Sequence, residues 1–390
     1  MKMLLVSLIL PLLVFALWWP LTVLSRAARW RRIGVSLLPA LLLPLMIVLW
    51  RGDLVGYATV SWLQLGAGWL IVLGMVLLLF VLLRSLGWAL HAAVERLLRR
   101  TPGVAVRRWH APWLTNSAVL LGLCLATLGI YNGLKLPQVR HSELAIAGLP
   151  QELDGLRIAV LADLHITPAK GRARTEGIVE RTLAARPDLI VLPGDMVDGP
   201  VAVSGPMVAP LAQLKAPLGV WASPGNHEVY HDYADWMAFF DGLGLPVLEN
   251  RAVAIAHRGV GFTVSGLGDL AARRPSARAL GIPGPALDAT LAQVDAASAL
   301  HLMLVHQPKL AREVAASGQV DLQLSGHTHG GHILGMDRWI VAQANDGFVR
   351  DAYTLDGMTL FVSGGAGQWD GFTPRLGVPP RIDLITLRRQ

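Results

Sequence analysis

Oxygen and nitrogen donors recur at five places in the chain, each directly after a short apolar run. The run 158–162 leads into Asp163-Leu164-His165. The run 189–192 leads into Gly194-Asp195-Met196-Val197-Asp198, and 220–222 leads shortly into Gly225-Asn226-His227-Glu228. His306 follows 302–305, and Gly326-His327-Thr328-His329-Gly330-Gly331 follows 322–325. The donors are carboxylate oxygens, an amide oxygen and imidazole nitrogens. The single cysteine, Cys124, lies in an apolar run, so neither a disulfide framework nor a thiolate zinc site forms within one chain. A set of this kind suits hard or borderline divalent ions such as Mn, Fe, Zn or Co. Asp163 and His165 are two residues apart, as are His327 and His329, so each pair can point to one side of an extended strand end. Seven candidate ligands (Asp163, His165, Asp195, Asn226, His306, His327 and His329) exceed what one ion takes. Two ions about 3.5–4 Å apart, sharing one carboxylate, would use them all, and such a pair clamps a phosphoryl group and activates water.

Each motif alone is a weak signal. His306 by itself also reads as a core histidine, and Asp198 as a turn cap. Glu228 reads as a helix cap or loop support and is given no catalytic part. Tyr230, His231, His332 and Trp369 are candidates for a pocket lining, at least two of them ordinary surface residues. Together, in order and each behind a strand, the motifs are specific. The series Asp-x-His, Gly-Asp-x-x-Asp, Gly-Asn-His-Glu, His and Gly-His-x-His resembles the calcineurin-like metallophosphoesterase superfamily, with no ligand missing. The stretches 326–331 and 356–365 resemble its bacterial membrane-associated branch. The resemblance covers about residues 150–390. It implies a β-sandwich flanked by helices, with two divalent ions as cofactors. Asp163, His165 and His329 would hold one ion, Asn226, His306 and His327 the other, and Asp195 both. His227 would lie beside the ions, protonating the leaving alkoxide or stabilising phosphoryl oxygens, and Asp198 would orient it.

The elements that must carry these loops are short. Strands are expected at 157–162, 189–192, 219–222, 261–265, 301–305, 322–325, 359–363 and 382–387. A helix is expected at 175–185, with charges on one side. The alternation fits an α/β domain, and sites in open α/β folds lie at the carboxyl ends of strands.

Upstream the texture changes. Residues 1–138 hold 13 Lys/Arg and two acids, Asp53 and Glu95, whereas the whole chain carries only +7. The positive charge therefore belongs to the apolar part, beside hydrophobic runs, and does not argue for nucleic acid as a partner. Four runs, 4–24, 33–50, 65–83 and 113–134, are each near the roughly 20 residues that span a bilayer. Trp18-Trp19-Pro20 is unlike a small-residue cleavage site, so the first run reads as retained. The expected organisation is a transmembrane all-α region over 1–137 and a catalytic α/β domain over 138–390. Basic residues crowd the first connection (Arg26, Arg29, Arg31, Arg32) and the third (Arg96, Arg99, Arg100, Arg107, Arg108). The positive-inside rule puts these in the cytoplasm and the catalytic domain on the extracytoplasmic side of a multi-pass inner-membrane protein.

The leading functional expectation is a divalent-metal phosphomonoesterase or phosphodiesterase. The membrane tether motivates a narrower one, a lipid or lipid-linked pyrophosphate substrate. A third, of another class, is an inactive metal-binding sensor or scaffold.

Overall fold

In the computed structural model, the described residues are 54–98 and 112–390. The runs 4–24 and 33–50 and most of the basic connections lie outside them. The other two runs fall in helices, α1 (Tyr57–Leu97) and α2 (Pro112–Leu134). Both are long and apolar enough to cross a membrane, α1 over its 41 residues and α2 over Asn116–Leu134. They belong to a compact unit that extends to Tyr131 and takes in Asp370–Pro374 from far along the chain. Within that unit the buried Ser61 hydroxyl donates to Asp370 Oδ2 at 2.8 Å.

The second unit, Asn132–Trp369 with Arg375–Gln390, contains two mixed sheets. The first has strand order β1-β11-β2-β3-β4: β1 (Gln138–Ile146), β2 (Arg157–Val160), β3 (Leu189–Pro193), β4 (Val220–Ser223) and β11 (Arg381–Arg389). The second has order β5-β6-β7-β8-β10-β9: β5 (Arg251–His257), β6 (Val260–Gly266), β7 (His301–Leu304), β8 (Leu322–Ser325), β9 (Asp351–Leu355) and β10 (Met358–Val362). β2, β3 and β4 run parallel, as do β6, β7 and β8. The crossover from β2 to β3 is α3 (Arg172–Ala184), close to the helix expected at 175–185.

Side-chain alternation explains the layering. Ile158, Val160, Leu189 and Val191 point to one face and share an apolar cluster with Leu302, Leu304, Leu322, Leu324 and Phe361 of the second sheet. Ala159, Ile190 and Leu192 point the other way, into a cluster with Ile178 of α3 and with Trp236 and Phe240. A strand buried on both faces reads as a continuous apolar run, as β3 does throughout and β2 and β7 do after their first residue; β8, Leu-Gln-Leu-Ser, is buried along its length yet alternates. All eight expected strands are present, within two residues at either end. Three more, β1, β5 and β9, were not expected from sequence. The parallel strands deliver their carboxyl ends to a common set of loops, which carry the seven donors.

Candidate metal centre

The loops after β2, β3, β4, β7 and β8 bring all seven candidate ligands together. Ligand atoms of Asp163, His165 and His329 lie within 4.8 Å of one another, and so do those of Asp195, His306 and His327. His165 Nε2 faces His329 Nε2 at 3.1 Å. His306 Nε2 lies 3.2 Å from Asn226 Oδ1 and 3.1 Å from Asp195 Oδ2. That same Asp195 oxygen is 3.6 Å from His165 Nε2, so one carboxylate reaches both groups. His227 Nδ1 hydrogen-bonds Asp198 Oδ1, which also lies 3.2 Å from His165 Nδ1. Asp198 therefore holds two imidazoles at once.

The backbone is bent hard to achieve this. Asp163 (φ 56°), His165 (44°), Asp195 (52°), His327 (72°) and His329 (50°) all adopt left-handed conformations. Each such non-glycine residue costs on the order of 1 kcal/mol or more, and such strain persists where surrounding structure over-determines it. Glu228 supplies much of that restraint around Asp195. Its buried carboxylate accepts from the backbone N–H of Gly225 (2.7 Å), Asp195 (3.0 Å), Met196 (2.7 Å) and Val197 (3.3 Å). The spacing Gly225-x-x-Glu228 is that of a side chain reaching back to the start of its helix, so the sequence signal for a cap has a structural counterpart. Gly225 itself is required by close approach, since a Cβ there would sit 2.3 Å from Asp195 Oδ1. Replacing Glu228 by Ala leaves four buried donors bare, at about 1–3 kcal/mol each if none finds water. We expect Glu228→Ala to lower unfolding stability by on the order of 3 kcal/mol or more in thermal or denaturant melts, and Glu228→Gln to retain part of the loss. An unchanged midpoint in Glu228→Ala would show that the loop does not depend on this carboxylate.

The second supporting group was not found by sequence reasoning. Arg375 is fully buried. Its guanidinium donates to the carbonyls of His329, Gly364 (2.9 Å) and Gly367, with Nη2 3.2 Å from His329 Nδ1. No motif surrounds it in 370–380, so nothing local marked it. Of the pocket candidates, Tyr230, His231 and Trp369 surround His227 at ring-centroid distances of 5.4, 6.3 and 5.8 Å. His332 lies 4.6 Å from the ring of His329. Tyr230 and Trp369 are each 42% exposed, which makes them a rim and not a core.

Two features test whether cations fit here. Asp163 Oδ1 accepts from His327 N at 2.7 Å, but Oδ2 is buried with no hydrogen-bond partner among the described residues. A bare buried carboxylate oxygen beside two facing imidazole nitrogens is costly unless a positive charge joins them. His306 Nδ1 donates to the Pro193 carbonyl at 2.9 Å, so Nε2 faces Asp195, as a second N–H when the ring is charged and as a lone pair once an ion takes that proton's place. The protonation balance agrees. Burial pulls His306 and His227 down, but the Asp195 carboxylate beside His306 and the Asp198 carboxylate beside His227 outweigh it, holding them up at about 10 and about 9. Burial, and then the neighbouring His306, push His327 down to about 3. Without cations, protons thus serve as the counter-charge to the buried carboxylates.

The sequence model of the calcineurin-like phosphoesterases matches residues 156–331, the stretch holding all seven donors. An uncharacterized metallophosphoesterase of Helicobacter pylori is 31% identical over 273 residues, covering 68% of this chain and 70% of that one. The chain belongs to the calcineurin-like metallophosphoesterase family. A bovine transmembrane protein with metallophosphoesterase domain is 30% identical over 282 residues, covering 70% of this chain and 62% of its own length. A Caenorhabditis elegans relative is 35% identical over 256 residues, and the match spans 52% of that protein. Among solved structures, a dimetal phosphatase from Danio rerio aligns with 55% of this chain and 88% of its own, at 15% identity and a TM-score of 0.37. Members of this metallophosphoesterase family are phosphoester hydrolases that use divalent metals, and the His/Asp clusters described above are this member's candidate metal site. Among the described residues two helices are long and apolar enough to cross a membrane, and the bovine and Danio rerio relatives are named as transmembrane proteins.

Proposed function

We propose that this protein hydrolyses phosphoesters at a dinuclear centre. Asp163, His165 and His329 would hold one ion, Asn226, His306 and His327 the other, and Asp195 would serve both. The observation that carries this reading is the Asp195 carboxylate, within 3.1 Å of His306 Nε2 and 3.6 Å of His165 Nε2. The two packed sheets with a shared core are read as the family's β-sandwich. The domain is read as lying over 138–390 behind a multi-pass membrane region, on the extracytoplasmic face.

Bound divalent ions there would supply activated water and neutralise phosphoryl charge. The chain's own residues do the rest. His227, held protonated by Asp198, is placed to donate a proton from Nε2 to the departing alkoxide. Asp198 accepts from His227 Nδ1, fixing the ring and its tautomer. Tyr230 and Trp369 flank that ring and narrow its access to water. A screen of aryl phosphomonoesters and phosphodiesters with Mn, Zn, Fe and Co, on the full chain in detergent, tests the reading. Turnover with at least one metal supports it, and none with any of them rejects it.

Metal binding has a pH signature. Because His306 stays protonated up to about 10 in the metal-free chain, an ion arriving near neutral pH must displace that proton. Affinity should therefore rise with pH and fall on acidification. Titration calorimetry in two buffers of different protonation enthalpy should show net proton release, and its absence would contradict the assignment of His306.

A further inference from the structure

The rim of the site continues into an exposed apolar lip that the hydrolytic chemistry does not use. Immediately beyond His332, Leu334 is 61% exposed, Trp339 80% and Ile340 54%, on a tight turn and the short helical segment Asp337–Val341. The turn is held rigidly. Asp337 Oδ1 accepts from Gly335 N (2.9 Å) and Arg338 N (3.0 Å), and Asp337 Oδ2 pairs with Arg350 at 2.7 Å. The lip is therefore a built feature that presents apolar side chains to solvent, at the cost of hydrating them.

The base of the lip is tied to the end of a membrane-length helix. Leu334 N donates to Leu376 O at 3.0 Å. One residue away, Arg375 O accepts from Asn132 Nδ2 (3.3 Å), in the last turn of α2. Arg174 hydrogen-bonds the carbonyls of Gly133, Leu134 and Lys135 and, on the same guanidinium, those of Ala366 and the side chain of Gln368, beside the site. The final turn of a helix long enough to span a bilayer thus shares one hydrogen-bond network with the metal-centre loops and with the lip. Trp, Ile and Leu with the exposed Arg338 between them are the residue types that settle at a bilayer interface.

We propose that the lip formed by Leu334, Trp339 and Ile340 is a bilayer-contact surface, bringing the site onto phosphoesters carried by membrane amphiphiles. The surface follows from geometry alone, whereas its use rests on the hydrolase reading above. Two readouts separate them. With the sole cysteine removed by Cys124→Ser, the full chain carries a single environment-sensitive fluorophore at Ile340→Cys or, as control, at Leu280→Cys, an exposed leucine outside the lip. In phosphatidylcholine nanodiscs the Ile340 label should shift to the blue and be quenched by brominated lipid, and the Leu280 label should show neither. A label that stays water-like overturns the proposal. A blue shift without bromolipid quenching also overturns it, by showing the lip covered by protein, whether a second copy or a partner.

The second readout compares p-nitrophenyl dodecyl phosphate with p-nitrophenyl ethyl phosphate, which share a leaving group and differ in their tails. On nanodisc-bound protein the dodecyl ester should have kcat/KM at least about tenfold higher. In Trp339→Glu combined with Ile340→Glu that preference should collapse toward one, with the ethyl ester's turnover kept. Equal kcat/KM for both esters in the unsubstituted protein, or equal loss of both in the double variant, overturns the role in loading. Turnover of neither ester, in a protein that also turns over no aryl phosphomonoester, rejects the hydrolase reading and leaves the fluorescence to decide the surface; turnover of a monoester alone overturns the role in loading these diesters.

Discussion

Asp195→Ala should abolish hydrolysis while leaving a folded chain. The Asp195 carboxylate reaches ligands of both groups through a single oxygen, and its Oδ1 also accepts from His227 N at 2.8 Å. Removing it takes a shared ligand from both ions and frees the backbone that aims the general acid. The ions' charge stabilisation is worth several kcal/mol, so kcat/KM should fall on the order of 10³-fold or more. Metal content should fall as well. Ligand substitutions confined to one group, such as His329→Ala, should lower the content of one site more than of the other. Asp195→Ala should weaken both, read by inductively coupled plasma mass spectrometry on equally dialysed samples. A variant that kept both metal content and activity would show that Asp195 does not join the ions.

His227→Ala should separate chemistry from metal binding. The ring is not among the proposed ligands, although it lies 4.5 Å from the ring of His165. Loss of a positioned general acid is worth about 10²–10⁴ in rate. The expected result is a fall in kcat of that size with metal content unchanged. The deficit should shrink for esters with good leaving groups such as p-nitrophenol, which need little protonation, and grow for alkyl esters. A uniform loss across leaving groups would assign His227 to phosphoryl-oxygen stabilisation instead. Asp198→Asn should follow His227→Ala in direction but less strongly, because the ring stays in place and only its orientation and charge change.

What could be read from the sequence, and what could not, divides along physical lines. Strands buried on both faces, such as β2 and β3, are uninterrupted apolar runs and were legible. The three strands that were not, β1, β5 and β9, are all edges of their sheets. An edge strand is half wet, so its residues alternate and include charges that read as loop. β1 contains Arg140, His141 and Glu143, and β5 begins at Arg251 and ends at His257. A turn signal was present for β9. Asp356 (φ 46°) and Gly357 (φ 90°) join it to β10 in a two-residue hairpin, and Asp-Gly between two extended runs is a strong hairpin pattern. β5 and β6 are joined in the same manner by Arg258 and Gly259, where the first residue gives no such signal.

The same division holds at the site. The seven candidate donors and His227 stand out in the sequence because each follows a strand end by at most five residues, several of them in short motifs with glycine. Arg375 was not, because its work is done across the fold, on carbonyls at 329, 364 and 367 that come together only in the folded chain. Nor does a sequence show that five of the seven ligand positions take left-handed backbone. That conformation follows from the cross-links between loops, such as His327 N to Asp163 Oδ1 and His165 N to Asp195 O, 3.0 Å. The apolar helices were legible by length alone, while Leu334, Trp339 and Ile340 needed burial to distinguish a surface lip from a stretch of core.

The most direct test of the central claim is an anomalous-scattering crystal structure of the full chain soaked with Mn. Two Mn peaks about 3.5–4 Å apart are expected, with an Asp195 oxygen bonded to each and Asp163 Oδ2 no longer bare. A single peak, or two peaks that do not share Asp195, would contradict it.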